Sequence, residues 1–489
     1  MTNSAARKLV LTLPIFHFSA VAIAAGLLVL LMAGSSVALA DTTSKTQPCF
    51  EIDRRTAGFN ADDATDRRAF RDYQEATSLL FEEERFKELD CLADSLRVSK
   101  AKFAGGMWKI HAFYSGLREP RLHPTQEDWN NHLDRLKRWV KINPSSITAR
   151  VALAQSYVTF AQDARGSGFA DTVSESGWRL FHERVQEARR ILEEAEGLPA
   201  KCPEWFLGMQ QVSEAEGWDL ADEVALLNKA TEFEPGYQYF ARLHANYLLP
   251  KWYGEEGDTE KYVTETADKI GGEEGDVFYF QVSSFVLCGC SQEVQFKKMS
   301  WPRIQRGFAI LDKRSGPSLE LLNLMAYMAG KAADPVIADK AFARIGDNWN
   351  EDRWKTRAYF DSSKEWAARG AATASWRLEK EEAAAQNAKT EEGSRYQALF
   401  SSKFAEIVGD CARSAQSREK IVMLMRMSQE GFVLHWVPIS SGEATNCAIR
   451  KVTSLQQNFV TNVLPGAPQI NYWVKAEVDP ASAVPVASK

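Results

Sequence analysis

The sequence contains no G-x-S-x-G, H-E-x-x-H or G-x-x-x-x-G-K-[ST] pattern. A nucleophile elbow, a helical zinc-protease motif and a phosphate-binding P-loop are therefore excluded. Histidine is scarce, with seven in 489 residues, and positive charge is not in excess: 59 Lys and Arg face 65 Asp and Glu, for a net charge of −6. That balance argues against a broad nucleic-acid surface. Gly 29 and Pro 17 are too few for a collagen-like or low-complexity chain. Beyond residue 40 no run reaches 18 apolar residues, and strand-type alternation is nearly missing before residue 420. What is present is ordinary globular material, 45% apolar and 25% charged, with 14 Trp and 26 Phe to fill a sizeable core. At roughly 150 residues per domain the length predicts about three domains, or two with one large.

The first 40 residues stand apart. Arg7 and Lys8 precede an apolar run from Phe18 to Ala40 that ends in Ala38-Leu39-Ala40 before Asp41. Small residues at −3 and −1 predict a cleaved export signal over 1–40. The run of 23 residues is also long enough to cross a bilayer, so an uncleaved inner-membrane anchor over 18–40 is the alternative. Export predicts a periplasmic or extracellular, oxidising setting, in which some of the seven cysteines pair. Cys411 and Cys447 share one C-terminal segment and are the expected disulfide. Cys49 is within reach of Cys91, and one of Cys288 and Cys290 of Cys202. The odd count leaves at least one thiol free or paired between chains.

Residues 41–65 are polar and turn-rich, a mobile lead-in. From residue 66 apolar residues recur at three- and four-residue steps, as in Phe70, Tyr73, Leu79-Leu80, Phe86, Leu89, Leu92 and Leu96. The expected body, 66–366, is mainly α. Proline stops at Pro144 and Pro235 are each followed about ten residues later by a small residue on the next helix, Ala154 and Ala245. These are offsets of the tetratricopeptide repeat. Glu204–Tyr237 makes one 34-residue unit, off-consensus at Gln211, and residues 162–177 read as an inserted loop. A second helical pair is predicted over 318–366, punctuated by Pro335 and Gly346. Residues 367–395, highly charged, read as a solvated helical linker. A small α+β module follows over 396–480, with strands at 421–427, 432–439 and 472–478 and a helix at 396–414, and 481–489 is a disordered tail. The fold class is thus a degenerate TPR-like helical-repeat array followed by a small α+β C-terminal module.

Two resemblances rest on particular residues. Phe86-x-x-Leu89-Asp90-x-Leu92-Ala93, Gly106-x-Trp108, Phe113-Tyr114, Cys202-Pro-Glu-Trp205, Gly217-Trp218, Pro250-Lys-Trp252-Tyr-Gly254 and Trp349 to Trp354 make residues 81–366 similar to the bacterial domain-of-unknown-function family numbered 4034. The resemblance implies a helical, repeat-like body in exported or envelope proteins and no known activity. Gly431-x-Val433, Ser440-Ser-Gly442, Cys447-Ala448, Pro465-x-x-Pro468 and Tyr472-Trp473-Val474 make the tail similar to the C-terminal domain of the energy-transducing protein TonB. TonB carries an uncleaved anchor and a proline-rich spacer, where this chain has a signal-like start and a charged helical spacer. The implication is an α+β interaction module.

Catalytic and metal residues are expected to be none. His123 and His132, with Glu127 and Asp128 between them, form the only local cluster of ligand type, but their spacing crosses a helix start and reads as a solvated helix entry. No second Cys or His pair stands at zinc spacing. Adjacent acids such as Glu193-Glu194 and Glu255-Glu256 diverge on a helix and face water. No cofactor is expected. Aromatic residues carry more: Trp205-Phe206, Trp218, Tyr237, Tyr239-Phe240, Tyr247 and Trp252-Tyr253 lie within fifty residues. Most fit a core; those near helix ends, Tyr237, Trp252 and Tyr253, are the candidate residues for a groove that takes a peptide or glycan. The expected function is a non-enzymatic envelope scaffold with a protein or peptide partner. Its alternatives are a carboxylate-based hydrolase or binding protein for envelope polysaccharide, and an accessory of a TonB-type transport system. Oligomeric state is not encoded in any pattern we find.

Overall fold

The computed structural model describes residues 49–479 except 67, 122–123, 167–169, 288–297, 415–419, 428–432 and 456–471. The predicted signal, the C-terminal tail, Cys288, Cys290 and His123 lie outside the described residues. The chain is mostly helical, with a small antiparallel sheet near its end, as the sequence pattern predicts. The helices are α1 (Ala69–Glu82), α2 (Phe86–Ser99), α3 (Lys109–Ser115), α4 (Gln126–Ile142), α5 (Ile147–Arg165), α6 (Glu175–Glu196), α7 (Pro203–Glu216), α8 (Leu220–Phe233), α9 (Tyr239–Tyr247), α10 (Asp258–Ile270), α11 (Gly272–Phe285), α12 (Trp301–Ser315), α13 (Leu319–Lys331), α14 (Pro335–Ile345), α15 (Glu351–Trp354), α16 (Arg357–Asn387), α17 (Glu391–Ser414) and α18 (Glu443–Leu455). Among the described residues no helix is long and apolar enough to cross a membrane.

Local chemistry accounts for the helix ends. Thr125 and Asp128 form a reciprocal capping box at the start of α4, and Pro144 follows its end. Ser146 accepts from Ala149 N to open α5. Pro203 sits in the first turn of α7, and Gly217 closes that helix in the left-handed region at φ 67°. Asp334 caps α14 ahead of Pro335. The unit Glu204–Tyr237 is the α7–α8 hairpin. Its off-consensus Gln211 leaves a buried side-chain oxygen without a hydrogen bond.

The body curls so that its first and last helices meet. Ser318, which caps α13, hydrogen-bonds the buried carboxyl of Asp63, and Leu319 N donates to Asp63 O at 2.9 Å. Arg71 on α1 pairs with Asp352 on α15. Gly105, at φ 77°, lies so close to α13 that a Cβ there would stand 2.7 Å from Ser318 Cβ. The lead-in expected to be mobile is thus docked where it is described. Cys49 is bonded to Cys91, Phe50 and Phe59 meet edge to face at 5.5 Å, and Asp63 holds α13.

The tail sheet has strand order β2–β1–β3, with β1 (Ile421–Met427), β2 (Val433–Pro438) and β3 (Tyr472–Val478) all antiparallel. Period-two alternation divides it into two faces. Met423, Met425, Val474 and Ala476 pack on Phe400, Phe404 and Val408 of α17 and on α18. A disulfide between Cys411 and Cys447 ties these two helices, with Cα atoms 5.6 Å apart. Leu424 and Val437 on the other face pack on Ala384 and Trp376 of α16. The charged segment read as a solvated linker is therefore a helix with one buried stripe. Only two of its apolar residues reach the sheet, which is too few to show in a moment of the whole segment.

Candidate functional site

The three aromatic residues singled out in the sequence do not come together. Tyr237 is 2% exposed. It packs edge to face on Trp108 at 5.1 Å and donates its hydroxyl to Glu204. Trp252 is half-buried against the second helical core, and its indole nitrogen is buried without a hydrogen bond. Tyr253 is 46% exposed, stacks on Tyr247 at 4.7 Å and donates to Glu214 O at 2.7 Å. Tyr237 faces a different partner set from the other two.

Tyr237 belongs to a buried polar knot. Glu204, in the first turn of α7, is fully buried. Its carboxylate accepts from Gln155 Nε2 at 2.6 Å and from Tyr237, lies 2.7 Å from His111 Nδ1, and has Arg118 Nη2 at 3.4 Å. Burial pushes this carboxyl up, but His111, Arg118 and the Tyr237 hydroxyl together pull it down to about 2. Burial holds His111 below its ordinary value, which fits a neutral ring donating through Nδ1. One guanidinium thus balances one carboxylate, and the knot ties α3, α5, α7 and the entry to α9. A related pair sits next door: Glu223 of α8 lies 2.5 Å from His244 of α9, with Gln210 Nε2 at 3.4 Å. Glu204, Glu223, Gln155, Tyr237 and His244 are buried, while the His111 and Arg118 side chains are 15% and 22% exposed; the pairs fix the register of the helices they join.

His132 corrects a further expectation. It is buried rather than solvated, with Nε2 3.0 Å from Leu117 O and 3.2 Å from Ser156 Oγ, and burial pushes it down to about 4. Among the described residues no group of three His, Cys, Asp or Glu is placed to hold a metal. Cys202, considered as a disulfide partner of Cys288 or Cys290, is a buried free thiol donating to Tyr114 Oη at 3.4 Å.

The aromatic residues that do converge are Trp205, Phe206 and Trp218. With Met209 and Leu226 they line a groove of about 460 Å³ bounded by α6, α7 and α8. Trp205 Nε1 donates to Leu192 O and Trp218 Nε1 to Glu216, both at 2.8 Å. The indole N–H groups are thereby satisfied inside the protein, which leaves the ring faces for contact. Arg189 lies over Trp218 at 5.3 Å, and Asp222, Ala225 and Lys229 form an exposed rim on α8. The volume and lining suit an apolar side chain carried by a polar backbone. Sequence spacing flagged Trp205, Phe206 and Trp218 as aromatic but not as neighbours. Met209 and Leu226 carry no signal that separates them from core.

Beside Tyr253, burial pushes the Glu214 carboxyl up to about 7, while Lys251 and the 2.7 Å hydrogen bond from Asn246 work against that rise. No protein-family model, no curated protein and no solved structure matches this chain.

Proposed function

We propose that the chain is an exported envelope scaffold that binds a protein or peptide partner through its helical body, with the α+β tail as a second contact. The observation that carries this reading is the groove lined by the half-buried Trp205, Phe206 and Trp218. The two disulfides fit an oxidising compartment. The resemblances of residues 81–366 to family 4034 and of the tail to the TonB C-terminal domain fit an envelope setting. The test is a photo-crosslinking side chain at exposed Ala225 in the native envelope. The adduct is identified by mass spectrometry and its contact segment is made as a peptide. Quenching of tryptophan fluorescence by that peptide, lost in Ala225→Arg, is the expected result. An adduct that forms equally on the Arg variant refutes the groove.

A second reading, a carboxylate-based hydrolase of envelope polymers, draws on Glu214. A carboxyl near 7 beside an exposed tyrosine has the proton affinity of a general acid. Peptidoglycan turnover abolished by Glu214→Gln would favour it.

A further inference from the structure

The last helices of the body leave an open groove of about 330 Å³ between α13 and α16. Phe342 of α14 and Trp354 of α15 line it from the buried side, with ring centroids 5.4 Å apart. Helix α16 divides its apolar residues between two neighbouring stripes. Phe360 and Ala367 are fully buried in the core. Tyr359 and Trp366, each one position earlier, are 44% and 37% exposed and line the groove. They stand seven residues apart on one face of the helix. Their axial separation is about 10 Å, the span of about two sugar rings.

These two aromatics keep their polar atoms for an outside partner. Among the described residues, neither the Trp366 indole N–H nor the Tyr359 hydroxyl bonds to the protein. The Trp354 and Trp301 indoles, by contrast, donate to Asn323 and Asp334. The opposite wall is the end of α13. There Lys331, exposed, is the only charged residue lining the groove, and no acid pairs with it among the described residues. Its ammonium lies 5.3 Å from the centroid of the Tyr327 ring. Beside it is Gly330, where a Cβ would meet no atom within 4 Å. Its φ is not positive, so neither crowding nor backbone conformation calls for glycine. Glycine weakens a helix relative to alanine, and it is the residue that lets a ligand approach the backbone.

We infer that this groove binds an acidic β-1,4-linked oligosaccharide. One pyranose lies on Tyr359 and another on Trp366. The C–H bonds on a pyranose face carry partial positive charge and meet the negative face of an aromatic ring. Sugar hydroxyls accept from the free indole N–H and phenol, and a sugar carboxylate pairs with Lys331. Gly330 leaves room for the chain between the two walls. Exposed rings in line along one helix suit an extended chain of sugars, whereas a single side chain takes an enclosing pocket. The inference does not rest on the groove of Trp205, Phe206 and Trp218, which belongs to other helices.

The experiment is isothermal titration of the full chain with two matched tetrasaccharides. One is β-1,4-linked tetraglucuronate; the other is cellotetraose, which carries hydroxymethyl groups in place of the carboxylates. The acid binds saturably, and cellotetraose roughly tenfold more weakly. Lys331→Met brings the acid down to the affinity of cellotetraose and leaves cellotetraose unchanged. Trp366→Ala, at an exposed position, weakens both sugars at least about tenfold. Gly330→Leu fills the groove and abolishes both without lowering the melting temperature. Absence of saturable binding of either sugar by the folded wild type up to about 10 mM overturns the proposal. So does binding that survives both Trp366→Ala and Gly330→Leu, which puts the sugar elsewhere. Equal affinity for the two sugars overturns the acidic class. A peptide of alternating Asp and Phe that displaces the acid at equal concentration makes this a peptide site instead.

Discussion

At the residue scale, the buried acids divide by what surrounds them. Glu204 is met by three hydrogen-bonding side chains and a guanidinium and is held at about 2. Asp63 is 1% exposed, and burial pushes it up to about 7, partly opposed by its hydrogen bond to Ser318. The two respond to pH in opposite directions. A carboxyl whose folded value is lowered adds stability above its unfolded value and loses it as pH falls. A carboxyl whose folded value is raised binds its proton more tightly when folded, so its contribution falls as pH rises from about 3.8 to about 7. For Asp63 that difference is on the order of 4 kcal/mol. We expect Asp63→Asn, which keeps the shape and cannot ionise, to flatten the decline in urea-unfolding free energy between pH 4 and 7. An unchanged pH slope would show that Asp63 is not its source.

At the element scale, the tail sheet illustrates how an edge is closed without another strand. Gln397 of α17 bonds the backbone of β3 from both sides of its amide: Nε2 donates to Lys475 O, and Oε1 accepts from Lys475 N at 3.3 Å. Asn387, at the end of α16, adds a bond to Trp473 O at 3.4 Å. These side chains occupy hydrogen-bonding groups that would otherwise recruit another chain. Gln397→Ala should leave the helical signal intact and raise self-association, read as a concentration-dependent rise in mass by light scattering. A glycine stands where the two helices near 390 turn. Gly393 approaches Asn387 O so closely that a Cβ would stand 1.9 Å from it. Helix periodicity, strand alternation and the Pro and Gly stops made α17 and the three strands legible in the sequence. The docking of α16 was not, because two apolar contacts within a charged helix leave no periodic trace.

At the scale of the whole molecule, closure of the helical body is the feature with most consequence. It brings residue 63 to 318, and 71 to 352, across more than 250 positions. Gly105 lies in that seam at positive φ and against Ser318 and Leu321. Gly105→Ala adds about 1–2 kcal/mol of backbone strain and about 1–3 kcal/mol of overpacking. We expect faster amide exchange in 311–324 and lower cooperativity of thermal unfolding. Exchange that rises uniformly over the chain would show that the seam is no weaker than the rest.

The sequence by itself determined the helical class, the late sheet and the helix ends, because each depends on residues within one or two turns of one another. It also brought forward Cys411 with Cys447 and Cys49 with Cys91, pairs set by short chain separations. It could not rank the aromatic residues. Tyr237 and Trp218 look alike as helix-end aromatics. What separates them is that Glu204, from another helix, stands beneath one, while the other is half-buried at a groove with Arg189 over its ring. Only tertiary structure decided how each buried acid is partnered, which aromatics share a groove, and that the first and last helices of the body meet. Those outcomes depend on contacts between residues tens to hundreds of positions apart, and local periodicity carries no record of them.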